Sequence, residues 1–314
     1  MNRTERRPTV LTIMGYSHSG STVLDIALGN HPSIVGVGEV HKLPRSGWTR
    51  DDDRRCACGR AIHDCEFWPV VLDHWYSRVG HGQLKTYIGL QSRFEGGRKA
   101  WPRLLRERVK RSTAFDDYAA MTAAVYEAIR DASGKDIVVD ASKPPVRNFA
   151  LLLNDHVDAR IIHLVRDGRA VVLSRSRRRP RDVERGVPRD QPARSARSVA
   201  LGWTVTNLES GWVLARAGQD RSIRLTYEEF TRDPVGAMRS VGRLAGVDLD
   251  PIGRALSERR ELNVGHNVGG NALRMSRTIV FEPNLDWRSK LPPADEAAFW
   301  TIAGWLEKRY GYRR

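Results

Sequence analysis

The sequence is poor in cysteine and has no long apolar run, and each shortage excludes a class of protein. Only three of its 314 residues are cysteines, and all three fall within the stretch CACGRAIHDC at 56–65. A secreted disulfide framework needs more cysteines, spread more widely. No apolar run approaches the roughly 18 residues that cross a bilayer, and the basic N-terminal stretch lacks the apolar segment of a signal peptide. We therefore expect a cytoplasmic protein without a transmembrane segment.

Acidic residues are also in deficit, because the sequence has 37 of them against 52 lysines and arginines, which gives a net charge of +15. This excess predicts an anionic ligand or surface, and nucleic acid, anionic lipid and phosphorylated cofactors all satisfy it. The remaining composition is ordinary, with 40% hydrophobic residues and nine tryptophans. Such a chain can bury a core, which excludes disorder over most of its length.

Four strand-to-helix units indicate an α/β fold. Each begins with a short apolar, β-branched segment, and these units start at 9–14, 135–145, 159–175 and 222–230. Near-continuous apolar strands are typical of parallel sheets that are covered on both faces. After the fourth strand, Asp233 and Pro234 predict the N-cap and first residue of a helix.

Two stretches interrupt these units. Residues 66–130 carry an alanine-rich helical pattern and are interpreted as an insertion on the acceptor side. Residues 175–200 hold nine arginines against three acidic residues, with proline and glycine interspersed, which is typical of a mobile loop. We expect this segment to form a lid on a single domain that spans residues 1–314.

The strongest sign of function is the stretch GYSHSGST at 15–22, directly after the first strand. Its glycines have the spacing of a phosphate-binding loop between a strand and a helix. Backbone amides, the helix dipole and four hydroxyls can hold a 5′-phosphate there. The hydroxyls belong to Ser17, Ser19, Ser21 and Thr22. A nucleotide triphosphatase has lysine where this chain has Ser21, so ATP hydrolysis is disfavoured.

A second pair of residues can bind an anion. Arg166 ends the third predicted strand, and Ser174 follows eight residues later, about two turns along the next helix. Both side chains can reach one phosphate group. A surface ion pair between Arg166 and Asp167 is the alternative.

These motifs resemble the sulfotransferase family that uses 3′-phosphoadenosine-5′-phosphosulfate (PAPS), in a bacterial branch similar to tyrosylprotein sulfotransferases. GYSHSGST is similar to the family's 5′-phosphosulfate loop, and LVRDGRAVVLSR to its 3′-phosphate motif, in which an arginine and a serine stand eight apart. GVGEVHKL at 36–43 resembles the segment that supplies a glutamate base. GHNVGGNALR at 265–274 and DWR at 286–288 resemble the C-terminal segment that covers the cofactor.

The resemblance implies a P-loop NTPase-like fold, PAPS as the sulfonate donor and no metal in catalysis. The acceptor would be a hydroxyl, or less favourably an amine, of a small molecule, glycan or glycolipid, with no specific nucleic acid partner. The expected cofactor-binding residues lie in the loop, the 3′-phosphate motif, the stretch after the fourth strand and the C-terminal segment. They are Ser17, His18, Ser19, Gly20, Ser21, Thr22, Arg166, Ser174, Tyr227, Gly270, Asn271 and Arg274.

Three side chains are predicted to be catalytic. His18 stands where the tyrosylprotein branch has arginine, and a cationic imidazole can donate to the sulfonate, whereas a neutral one need only pack in the loop. Glu39 lies in a glycine-flanked turn and is the predicted base, with His41 as its rival. Lys143 follows an apolar strand, at the edge where open α/β sheets bind ligands, and Asp140 is expected to orient it.

The cysteine stretch offers a candidate metal site. Cys56, Cys58, His63 and Cys65 have the side chains of a tetrahedral structural zinc site. Their spacing is tighter than that of common zinc knuckles, so free thiols or a local disulfide are the favoured interpretation.

Two other functions compete with sulfonate transfer. A kinase-like phosphotransferase would use Asp140 as a magnesium ligand, but the missing loop lysine and the pair Arg166 and Ser174 disfavour it. A basic nucleic-acid-binding protein would use the net positive charge. The arginine-rich stretch lacks the interleaved aromatic residues of such proteins and matches no recognised module.

Overall fold

A five-stranded parallel sheet forms the centre of the computed structural model, which describes residues 7–49, 54–283 and 287–314. Its strands are β1 (Thr9–Met14), β2 (Ile34–Gly36), β3 (Ile137–Asp140), β4 (Asp158–Val165) and β5 (Ser222–Thr226). They run in the order β2-β3-β1-β4-β5, and every neighbouring pair is parallel. This sheet and its flanking helices confirm the predicted α/β class.

Helices cover both faces of the sheet. They are α1 (Ser21–Gly29), α2 (Leu43–Ser46), α3 (Trp68–Val79), α4 (Leu84–Glu95), α5 (Trp101–Val109), α6 (Thr113–Ser133), α7 (Pro145–Leu152), α8 (Gly168–Arg175), α9 (Ala196–Ala217), α10 (Tyr227–Arg232), α11 (Pro234–Ala245), α12 (Asp250–Ser257), α13 (Trp287–Lys290) and α14 (Pro293–Arg309). Strand β1 shows the two-sided packing, because Val10 and Met14 join the core under α6 and α7 whereas Leu11 and Ile13 join the core under α1 and α11. The alternation follows from the two-residue period of a strand.

The predicted helix start after β5 is confirmed. Asp233 is the N-cap of α11, and its carboxylate accepts a hydrogen bond of 2.9 Å from the amide of Gly236. Pro234 takes the first helical position, where its missing N–H costs nothing.

Two inserted regions lie between these elements. Helices α3 to α6 occupy residues 68–133, between β2 and β3. The arginine-rich stretch forms an irregular segment over 176–195, with isolated bridges between Arg179 and Gln191 and between Asp182 and Val187. It ends earlier than predicted, because Ser195 caps α9 by accepting from the amide of Ser198.

A small hairpin follows the helical pair α11 and α12. Its antiparallel strands are β6 (Glu261–Asn263) and β7 (Thr278–Val280). The intervening residues 264–277, here called the cover segment, cross the carboxyl end of the sheet, where Val268 bridges to Gly38. Among the described residues, no helix is both long enough and apolar enough to cross a membrane.

Candidate active site

The carboxyl ends of all five strands of the sheet meet at one cavity of about 850 Å³. Each strand is followed by a segment that contributes one or more lining residues, in agreement with the general position of ligands in open α/β sheets. These residues are Ser17, His18, Gly20, Ser21 and Thr22 after β1, Glu39 and Lys42 after β2, Lys143 after β3, Arg166 and Ser174 after β4, and Tyr227 after β5. The cover segment adds Gly270 and Asn271. The structure thus brings together most of the residues predicted from the sequence.

The loop after β1 is built to present backbone amides. Gly20 is the N-cap of α1 with a φ of 95°, and it offers no side chain to the amides of the first turn. A Cβ at this position would lie 2.5 Å from the ring of Tyr227, so only glycine fits the close approach. The open amides and the helix dipole therefore favour an anion at this end of α1.

Ser19 and Arg274 occupy other positions than expected, because neither lines the cavity. The hydroxyl of Ser19 turns back and donates to the carbonyl of Tyr16 at 2.8 Å. Arg274 is a buried residue of the cover segment, and it contacts the sulfur of Met275 and donates to the carbonyl of Gly186 at 3.4 Å. Its bond to Gly186 joins the cover segment to the arginine-rich segment.

Ser174, His18 and Arg175 form a chain of hydrogen bonds beside Arg166. The imidazole of His18 lies 2.8 Å from the hydroxyl of Ser174 through Nδ1 and 3.4 Å from Arg175 through Nε2. Because an arginine only donates, Nε2 is the accepting nitrogen and Nδ1 carries the proton that is donated to Ser174. The hydroxyl hydrogen of Ser174 is then free to be donated to an anion.

Arg166 closes this group from the other side. Its Nη1 donates to the carbonyl of His18 at 3.1 Å, and its guanidinium lies 4.3 Å from the centre of the Tyr227 ring. Asp167, the alternative ion-pair partner, binds Arg169 at 2.9 Å. Arg166 and Ser174 thus both line the cavity beside His18, and their binding of one anionic group stays a prediction.

His18 stays neutral at physiological pH. Burial and the charges of Arg179 and Arg175 lower its pKa to about 3. A protonated imidazole among these arginines would add a repulsive charge in a desolvated place. Of the two predicted roles for His18, the structure therefore favours a neutral hydrogen-bonding group over a cation.

Glu39 is buried between two lysines at the cavity wall. One carboxylate oxygen binds Lys143 and the other binds Lys42. Burial alone would raise the pKa of Glu39, but the charges of Lys143 and Lys42 outweigh it and hold the pKa well below its usual range. The amide of Glu39 is fixed by the carbonyl of Val268 at 2.7 Å, so the cover segment also positions this residue.

His41 and Asp140 do not take the positions expected of them. His41 is absent from the cavity lining, and its Nδ1 lies 2.9 Å from the hydroxyl of Ser142. Asp140 is fully buried and binds Tyr126 at 2.7 Å and Arg147 at 2.9 Å, so the expectation that it orients Lys143 is wrong. The same ion pair removes Asp140 as a magnesium ligand.

The cover segment is hydrogen-bonded to the phosphate-binding loop. The amide of Asn271 donates to the hydroxyl of Thr22 at 3.0 Å. Gly270 has a φ of 85°, and a Cβ there would lie 2.7 Å from the same hydroxyl. Trp287 of the DWR stretch lines the cavity, whereas Asp286 lies outside the described residues.

Sequence reasoning missed several cations of the cavity. Lys42 forms an ion pair with Glu39, and their spacing of three residues is a signal from which this pair could have been predicted. Arg175 and Arg179 belong to the arginine-rich stretch, whose composition does not show which arginines reach the cavity. The candidate zinc ligand His63 is also wrong, because it is exposed and faces Asp64 at 3.5 Å. His266 takes its place beside the three cysteines.

The family model described as "Sulfotransferase family" matches residues 10–251, well over half of the sequence. The chain belongs to this family. It is a PAPS-dependent sulfotransferase, and this membership decides against the kinase and nucleic-acid-binding alternatives. Among curated proteins, none matches the sequence.

Solved sulfotransferase structures resemble this enzyme along nearly its whole length. The sulfotransferase domain of the olefin synthase from Synechococcus PCC 7002 is 19% identical with a TM-score of 0.50, and the match covers 98% of this chain and 97% of that domain. A sulfotransferase domain from the curacin biosynthetic pathway is 16% identical with a TM-score of 0.48, covering 98% and 99%. A Mycobacterium avium sulfotransferase is 13% identical with a TM-score of 0.48, covering 98% and 78%. The first of these likenesses supports a shared fold.

The cavity has the donor set that PAPS requires. The cavity is lined by the phosphate-binding loop, by Arg166 and Ser174, and by further arginines of the arginine-rich segment. Anionic phosphate and sulfonate groups are bound by such donors. Gly20 puts no side chain over the first-turn amides of α1, so an anion in the cavity can reach these amides. The residues present therefore fit the nucleotide.

Proposed function

We propose that the enzyme transfers the sulfonate of PAPS to a hydroxyl of a small molecule, glycan or glycolipid. The observation that supports this most directly is the meeting of a lysine-free phosphate loop, the pair Arg166 and Ser174, and the carboxylate of Glu39 at one cavity. An amine acceptor is less favoured, because a protonated amine would be repelled by the cations of the cavity wall. Bound PAPS supplies the sulfonate and a phosphate leaving group.

In this proposal the 5′-phosphate end is held by the amides of the loop and by Ser17, Ser21 and Thr22. The 3′-phosphate is held by Arg166 and by the hydroxyl of Ser174, whose oxygen accepts from Nδ1 of His18 and whose hydrogen is donated to the phosphate. Tyr227, Gly270 and Asn271, which also line the cavity, add contacts to the nucleotide. Arg274 acts indirectly, since its hydrogen bond to Gly186 holds the cover segment against the arginine-rich segment.

Glu39 acts as the base that removes the proton of the acceptor hydroxyl. Lys42 and Lys143 keep it ionised, which a proton acceptor requires, although the lowered pKa makes it a weaker base. Lys143 also carries positive charge to the cavity wall, where it can stabilise the negative charge that develops on the leaving phosphate. Catalysis by these residues needs no metal ion.

Calorimetry with two nucleotides tests the donor. The enzyme should bind 3′-phosphoadenosine-5′-phosphate (PAP) at least about 10-fold more tightly than ATP with magnesium. ATP lacks the 3′-phosphate, and the contacts of Arg166 and Ser174 with that group should add at least about 1.4 kcal/mol. Preference for ATP with magnesium would contradict the proposal.

The acceptor class is tested by incubating the enzyme with sulfur-labelled PAPS and a cell extract divided into small-molecule, glycan, lipid and protein fractions. Label should enter one of the first three fractions, and the Glu39→Gln variant is the control without base. Label confined to protein would contradict the proposed acceptor class.

A further inference from the structure

Three cysteines and one histidine meet at a single point outside the cavity. Ligand atoms of Cys56, Cys58, Cys65 and His266 all lie within 4.8 Å of one another. The cysteines come from the turn between α2 and α3, whereas His266 comes from the cover segment, about two hundred residues later in the chain. The convergence is therefore produced by tertiary folding and not by local sequence spacing.

The distances agree with tetrahedral coordination of one zinc ion. Zinc bonds of about 2.3 Å to sulfur and 2.0–2.1 Å to nitrogen place neighbouring sulfurs roughly 3.8 Å apart, and sulfur and nitrogen roughly 3.6 Å apart. The Sγ atoms of Cys58 and Cys65 are 3.7 Å apart. Nδ1 of His266 lies 3.6 Å from Sγ of Cys56 and 3.2 Å from Sγ of Cys65.

The surroundings of His266 orient it as a ligand. Its Nε2 lies 3.5 Å from a carboxylate oxygen of Glu66, which favours a proton on that nitrogen and leaves the lone pair of Nδ1 directed at the sulfurs. Phe67 stacks on the imidazole at 5.2 Å, and the indole of Trp68 donates to the carbonyl of His266 at 3.0 Å. Carboxylate support of this kind accompanies histidine ligands in metal sites.

The backbone around the cysteines forms a tight knuckle. The amide of Cys56 donates to Arg60 at 2.9 Å, and that of Gly59 donates back to Cys56 at 2.9 Å, with Gly59 at a φ of 88°. The amide of Phe67 donates to the sulfur of Cys65 at 3.5 Å, an interaction that stabilises a thiolate. A disulfide between any two of these cysteines would leave the third thiol facing His266 alone.

We infer that Cys56, Cys58, Cys65 and His266 bind one structural zinc ion that fastens the cover segment to the cysteine-containing residues 56–65. Three thiols lose their protons to solvent and the neutral imidazole coordinates through Nδ1. Structural sites of this type have four protein ligands and no open position for a substrate. The zinc is separate from the sulfonate-transfer chemistry of the cavity.

The site has a mechanical consequence for the cavity. The carbonyl of Asn267, the residue after His266, accepts a hydrogen bond of 3.0 Å from the amide of Ala57. The amide of Val268 donates to the carbonyl of Val37, and its carbonyl accepts from the amide of Glu39. Asn271 then binds Thr22 in the phosphate-binding loop. A metal at His266 therefore anchors the chain segment that positions both the proposed base and the loop.

Metal analysis of the purified full-length enzyme tests the site. Protein prepared without added zinc should contain about one zinc ion per chain. Cys58→Ser, which alters the exposed cysteine, and His266→Ala should each lower this content at least fivefold. His63→Ala is the matched control, since this exposed histidine from the same stretch should leave the zinc content unchanged. Full zinc content in His266→Ala, or loss in His63→Ala, would overturn the ligand assignment.

Two further measurements distinguish a metal site from free thiols and from a disulfide. Cobalt substituted for zinc should give a thiolate charge-transfer band and the intense visible bands of a tetrahedral site. Alkylation of the denatured, unreduced protein after chelation should modify all three cysteines. A metal-free protein, or one in which two cysteines resist alkylation until reduced, would overturn the inference.

Hydrogen exchange tests the fastening. Chelation should increase the exchange of amides in 264–275 at least 10-fold, while amides of β4, which lies in the central sheet, keep their protection. Zinc bound with no change of exchange in the cover segment would refute the fastening role.

Discussion

The arginine at the end of β4 connects three parts of the site. Arg166 donates to the carbonyl of His18 in the loop, its guanidinium lies over the ring of Tyr227, and it lines the cavity. Arg166→Ala should weaken binding of PAP by about 1.5 to 3 kcal/mol, the range of a charge-assisted hydrogen bond. Adenosine-5′-phosphosulfate, which lacks the 3′-phosphate, should bind nearly as before.

Calorimetry with both nucleotides measures this difference. Arg189→Ala is the matched control, because it removes an exposed arginine of the same region that does not line the cavity. Equal losses for the two nucleotides would show that Arg166 supports the loop and does not bind the 3′-phosphate.

Glu39 is a second residue whose role a single substitution can test. Glu39→Gln keeps the shape of the side chain and should lower kcat by roughly 10² to 10⁴, the usual contribution of a general base, with little change in PAP affinity. The measurement is turnover at saturating PAPS and acceptor. Turnover close to that of the wild type would contradict the role of base.

The pH dependence of kcat/KM of the wild-type enzyme tests the ionisation of Glu39 independently. Because Lys143 and Lys42 hold the pKa of Glu39 well below its usual range, the carboxylate stays ionised as the pH falls through 4.5. The acidic decline of kcat/KM due to Glu39 should therefore lie below this value.

At the scale of secondary structure, the sequence predicted those elements whose signals are local. The apolar run that ends at a glycine predicts the first strand at 9–14, and β1 occupies the same residues. Capping chemistry located the start of α11 for the same reason. The cavity residues after β1, β3 and β4 were also predictable, because parallel strands bring their carboxyl ends to one edge.

Elements that depend on distant contacts were not predicted. Strand β2 has only three residues and is held by its register with β3, from Ile34 opposite Ile137 to Gly36 opposite Val139. The replacement of His63 by His266 has the same origin, because spacing along the chain cannot show which histidine folds back onto the cysteines. The position of Arg274 likewise depends on the path of the cover segment over Gly186.

At the scale of the whole molecule, one buried acid opposes stability at neutral pH. Asp25 in α1 is fully buried, and burial raises its pKa to about 7 even though the amide of Gly38 donates to it at 3.3 Å. Its second oxygen and the Oδ1 of the neighbouring Asn267 both lack a hydrogen-bond partner among the described residues. A proton on Asp25, or an amide in its place, removes the unfavourable buried charge.

Replacing Asp25 by asparagine should therefore stabilise the enzyme in a pH-dependent manner. Between about pH 4 and pH 7 the folded chain retains a proton that the unfolded chain has lost, so wild-type stability falls by up to about 1.4 kcal/mol for each pH unit. Asp25→Asn lacks this term, and its advantage over the wild type should grow from pH 5 to pH 8 in urea denaturation. Asp220→Asn, at an exposed position, controls for the change in net charge. An advantage of the same size at both pH values would show that Asp25 is ionised throughout this range, and would assign the gain to packing.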